Sequence, residues 1–195
     1  MLTKLIQLFL LIWIYWSVNL FLNNKTIGKA DFPFNKHREL FLTVISARFT
    51  MFCCLLYNFS KRIFRMIYPI MLILNIYVTI SFWSLFFYDS DLIINKNLLK
   101  AEYSLKYYHL LQLGLHLAPL LLSITYFRQK PSRNSFIMPI IYLILSFYLM
   151  IVSKNKDYNC FTPYEFINRM SFVQFVTFIV FEIIFLKLLY LITIN

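Results

Sequence analysis

Six long apolar runs constrain this chain more than any other feature. They are Leu5–Leu22, Leu40–Phe59, Ile67–Phe87, Tyr107–Phe127, Phe136–Val152 and Met170–Ile194. Each fits the roughly 17–25 residues that a helix needs to cross a bilayer. Hydrocarbon offers no water to backbone N–H and C=O groups, so separate runs of this length are expected as α-helices. The expected fold is therefore all-α, a polytopic membrane bundle of six transmembrane helices forming a single domain over residues 1–195. The first run follows Lys4 and superficially resembles a secretory signal. Its apolar length exceeds the roughly 7–15 residues of such a segment, and Asn23-Asn24-Lys25 replaces a small-residue cleavage site. It is expected to be a retained helix.

Composition agrees with this reading. Hydrophobic residues make up 61% of the chain and charged residues 14%, against roughly 45–50% and 25% in soluble domains. A chain of 195 residues cannot hide that much apolar surface in its own core. The hydrophobicity excludes disorder, and three cysteines are too few for a disulfide scaffold.

The net charge is +11. In a soluble chain this excess would suggest nucleic acid. Here the cations lie mainly in connections between apolar runs, where they anchor loops beside anionic headgroups. The expected partner is therefore the bilayer, with no nucleic acid. Two connections, Ser60–Met66 and Arg128–Ser135, carry Lys61, Arg62, Arg65, Arg128, Lys130 and Arg133 and no acid. Their density of positive charge predicts that they face the cytosol together with both termini.

Ionisable residues inside lipid are costly, so each is a functional candidate until a structural role explains it. Lys187 lies near a helix end and can snorkel to the interface. Arg48 and Glu182 enter from the same side to similar depth, which suggests an interhelical ion pair. His116 has Gln112 one turn before it, on the same helix face, and Gly114 leaves room for a close approach. Thr43, on the second run, enters from the same side as His116. A hydroxyl and an imidazole at similar depth suit a nucleophile and its base. On the residues alone an intrahelical threonine bond and an interhelical histidine bond are the stronger reading, and catalysis the weaker.

Several segments together resemble a known family. They are Leu40-Phe41-Leu42-Thr43, Phe82-Trp83 with Tyr88-Asp89, Gly114-Leu115-His116, and Pro131-Ser132-Arg133-Asn134-Ser135. In order and spacing they are similar to the androgen-induced and androgen-dependent TFPI-regulating membrane proteins, over roughly residues 38–170. That family consists of six-helix hydrolases of fatty acid esters of hydroxy fatty acids. The resemblance implies a threonine hydrolase in which Thr43 is the nucleophile and His116 the general base. It implies a long-chain lipid ester arriving from the bilayer, and no cofactor or metal. The implied location is the endoplasmic reticulum, another endomembrane or the plasma membrane. The chain departs from the family pattern at Ser46, Thr50 and Leu113, leaving Gln112 and Asp89 as candidates to orient His116.

Two other classes remain open. One is a non-catalytic multipass protein of the same fold, acting through lipid or protein partners. The other is a transporter using Arg48, His116 and Glu182, although matching half-repeats and broken helices are missing from the sequence.

Overall fold

The computed structural model describes residues 2–23, 42–88, 105–126, 133–154 and 171–194. These residues form helices and no strand: α1 (Leu2–Asn23), α2 (Leu42–Phe59), α3 (Lys61–Tyr88), α4 (Leu105–His116), α5 (Ala118–Thr125), a 3₁₀ turn (Arg133–Phe136), α6 (Ile137–Lys154) and α7 (Phe172–Ile194). The described residues of all six apolar runs are thus mostly helical. Four helices are long and apolar enough to cross a membrane, over Leu2–Leu22, Leu42–Phe59, Lys61–Phe87 and Phe172–Ile192. These four match four of the six expected spans, and the other two runs carry shorter apolar helices among the described residues, at His109–Thr125 and Asn134–Leu145. The mixed-charge connections, the Leu40-Phe41 start of the second run, and Asp89, Pro131, Ser132 and Cys160 lie outside the described residues.

Local chemistry sets several helix boundaries. The expected basic loop Ser60–Met66 shrinks to one residue. The Ser60 N–H donates to the Leu56 carbonyl at 2.7 Å, closing α2. Its carbonyl and hydroxyl then accept the Phe64 and Ile63 N–H groups at 3.0 and 3.3 Å, opening α3. A serine hydroxyl at this position satisfies a donor that a helix start leaves unpaired. Lys61, Arg62 and Arg65 are exposed on the first turns of α3. Ser171 and Gln174 bond reciprocally ahead of α7, with Ser171 N–H to Gln174 Oε1 at 2.8 Å and Gln174 N–H to Ser171 Oγ at 3.3 Å. This capping box pairs two orphan donors.

Pro119 splits the fourth run. It stands in the first turn of α5, and Leu117 between α4 and α5 lies outside both helices. Proline has no N–H to offer the carbonyl four residues earlier and its ring crowds that carbonyl. The break therefore falls directly after His116.

The outer surface is apolar. On α7, Phe172, Val173, Val180, Phe181, Ile183, Ile184, Leu188 and Ile192 are exposed, and on α1 so are Leu5, Leu8, Phe9 and Ile12. Many polar residues of the apolar runs point the other way: Ser17, Thr43, Ser46, Thr50, Asn75, Thr79, Gln112, His116, Ser123 and Glu182 are buried. This arrangement suits lipid, where intramembrane polar groups turn toward the bundle interior. The protein is a multi-pass, all-α membrane protein, with α3 packed against α2, α4, α5, the 3₁₀ turn and α6.

Candidate functional site

The register of the bundle can be followed along α3. With Ser60 as the joint, α2 and α3 run antiparallel, and Ser46 and Asn75 lie at matching distances from it. The Ser46 hydroxyl donates to Asn75 Oδ1. Asn75 Nδ2 donates to Thr50 Oγ1 at 2.8 Å and to Ser123 Oγ at 2.6 Å. Thr50 and Ser123 in turn donate to the carbonyls of Ser46 and Pro119, both at 2.8 Å. Asn75 therefore ties α2, α3 and α5 through a network in which both ends of its amide are used. Polar groups buried in lipid must find such partners within the protein.

The α4–α5 pair runs antiparallel to α3 in the same frame. Tyr68 donates to the Ser123 carbonyl at 3.1 Å, and Asn75 meets Pro119 and Ser123. One turn further along α3, Thr79 donates to the His116 carbonyl at 2.5 Å. The next turn brings Phe82 onto His116, with ring centroids 3.4 Å apart and planes 15° apart. Phe86 then meets His109 edge-on at 6.4 Å.

By helix rise, Thr43 lies near the level of Thr79 and His116. It lies one turn before Ser46 on α2, about 4.5 Å along the axis, while Thr79 lies about 6 Å beyond Asn75 on α3. Because the helices are antiparallel, both steps go the same way. Thr43 and His116 are 5% and 7% exposed, and α2 packs directly on α4. The register thus brings the two sequence-predicted residues to one level of the bundle.

Gly114 explains how α1 approaches. A Cβ at Gly114 would collide with Ser17 Oγ and lie 2.8 Å from Trp13 Nε1. Trp13 Nε1 donates to the Leu110 carbonyl at 3.2 Å. At the other end of α1, Gln7 Nε2 donates to Thr125 Oγ1 at 3.2 Å. Only a residue without a side chain permits this packing distance, as at small-residue crossings of membrane helices.

The remaining polar candidates lie on α2, α4 and α7. His116 Nδ1 is buried without a hydrogen-bond partner, so Gln112, though buried on the preceding turn, does not orient the ring through that atom. Glu182 is 3% exposed and is hydrogen-bonded by Tyr77 and Ser81 of α3. Arg48, its expected ionic partner, is exposed on α2. Lys187 is exposed on α7, as its snorkelling position requires. The sequence reading passed over Thr79, Tyr77 and Ser81, whose roles depend on which helix lies opposite. Among the described residues, no three His, Cys, Asp or Glu side chains gather to hold a metal ion.

Comparison with known proteins gives one match. The family model described as FAR-17a/AIG1-like protein matches residues 3–194. No curated protein and no solved structure matches the chain.

Proposed function

Because the chain belongs to the FAR-17a/AIG1-like protein family, we propose that it is a membrane-embedded hydrolase of long-chain lipid esters, with Thr43 as nucleophile and His116 as general base. The observation that carries the reading is the burial of both residues on the packed helices α2 and α4, with helix rise putting them at similar levels. The family match and the ordered segment Leu42-Thr43 with Gly114-Leu115-His116 support it.

The chemistry follows from the two side chains. Thr43 Oγ1 attacks the ester carbonyl while His116 takes its proton. Collapse of the tetrahedral intermediate breaks the bond to the alcohol oxygen, and His116 returns the proton to that leaving oxygen. The acyl group is left on Thr43. Water, deprotonated by His116, then releases the fatty acid and restores the hydroxyl. No cofactor enters these steps. The substrate arrives from the bilayer of an endomembrane or the plasma membrane, which fits an exterior rich in exposed apolar side chains.

The test is hydrolysis of a panel of lipid esters, including fatty acid esters of hydroxy fatty acids, by the purified full chain in detergent. Thr43→Ala and His116→Ala should each reduce hydrolysis to background, and the double variant should be no worse than either, since members of a catalytic unit are non-additive. Thr43→Ser should retain part of the rate because it keeps the attacking oxygen. A folded wild type inert toward every ester would favour a non-catalytic membrane protein acting through lipid or protein partners.

A further inference from the structure

We propose that Thr79 and Phe82 of α3 are positioning residues for His116. Thr79 holds the backbone of the broken helix, and Phe82 sets the plane of the imidazole. The proposal rests on the hydrolase reading and adds to it the elements that aim the base.

A catalytic histidine is commonly oriented through its second ring nitrogen, which donates to a carboxylate or a carbonyl. His116 lacks that device, because its Nδ1 is buried and unbonded. Something else must hold the ring. Phe82 does so by stacking, with centroids 3.4 Å apart and planes nearly parallel at 15°. That contact restricts rotation of the imidazole out of its plane.

The backbone needs a second constraint. His116 is the last residue of α4, next to the break that Pro119 imposes. Helix breaks free carbonyls and allow the flanking turns to shift. An intramembrane threonine ordinarily bonds a carbonyl of its own helix, as Thr50 does here. Thr79 instead reaches across to the His116 carbonyl at 2.5 Å. The same face of α3 carries Asn75 one turn away, locked to α2 and α5. Since α2 also carries Thr43, the base is referenced through α3 to the helix that holds the nucleophile. This gives a role to the Phe82 landmark, and it identifies Thr79 as a residue that acts through His116 without touching substrate.

Thr79→Val keeps the volume and β-branching while deleting the hydroxyl, and Thr79→Ser keeps the hydroxyl. Thr79→Val and Phe82→Leu should lower kcat by about tenfold to a hundredfold, the range that small misplacements of a catalytic group produce, with KM little changed. Thr79→Ser should recover most of the loss. An independent readout comes from histidine-selective ¹⁵N labelling of the full chain, which has three histidines. The His116 ring signals, identified by their loss in His116→Gln, should move in Thr79→Val and Phe82→Leu while those of His37 and His109 stay. Unmoved His116 signals, or wild-type kcat in Thr79→Val, would overturn the positioning role. If the wild type hydrolyses no ester but the His116 signals move, the positioning contacts stand and the hydrolase reading falls. If Thr43→Ala abolishes hydrolysis while Thr79→Val leaves it intact, the reverse holds.

Discussion

The Ser46 hydroxyl of α2 donates to the Asn75 amide oxygen of α3, and that bond sets the register on which the site depends. Replacing Asn75 by Leu removes an acceptor from Ser46 and donors from Thr50 and Ser123. Interhelical hydrogen bonds in membranes average about 0.6 kcal/mol and reach about 1.7, so Asn75→Leu should cost roughly 2–3 kcal/mol. Reversible unfolding in mixed micelles measures this. A loss below about 0.5 kcal/mol, less than one average bond, would show that the network contributes little.

The α1–α4 crossing makes a second prediction. Gly114→Ala places a methyl group against Ser17 Oγ and Trp13 Nε1 and should destabilise by about 1–3 kcal/mol, as overpacking generally does. Ser17→Gly removes the two Ser17 atoms nearest that methyl and should restore part of the loss in the double variant. Thermal shift in detergent reads both. Additive losses would contradict the close approach.

Glu182 is held by hydroxyls, so its variants should follow hydrogen bonding. Glu182→Gln keeps an acceptor for Tyr77 and Ser81 and should stay near wild-type stability. Glu182→Leu leaves the two hydroxyls without it and should cost about 1–2 kcal/mol. Equal losses for the two variants would mean that the carboxyl is needed for something other than accepting these bonds.

The acid-free connections predict cytosolic termini. Glycosylation acceptor sites inserted within residues 155–169 should be modified in the secretory pathway, and sites within residues 128–132 should remain bare. The reverse pattern would invert the orientation without altering the helices.

The helices were legible because length and hydropathy are local properties. Boundaries were less so where charge was equated with loop. Lys61, Arg62 and Arg65 belong to α3, whose start is set by the Ser60 cap. Pro119 was visible in the sequence, but its consequence was not. It breaks the fourth run after His116, and Thr79 takes up the His116 carbonyl there. Ser46, Thr50 and Asn75 were each recognisable as polar residues in apolar runs. Their convergence depends on interhelical register, which no single run encodes. For Glu182, the hydroxyls of Tyr77 and Ser81, one turn apart on the neighbouring helix, were not visible from its own run.

The most direct test of the Thr43–His116 account is to trap the acyl group. Wild-type protein is mixed with a long-chain lipid ester, quenched in acid during turnover and digested, and the peptides are analysed by mass spectrometry. The acyl mass should appear on Thr43, should be absent in Thr43→Ala, and should fail to form in His116→Ala. A fluorophosphonate probe should label the same hydroxyl. Hydrolysis that proceeds while Thr43 stays unmodified, with the acyl group on another residue such as Ser46, would contradict the account.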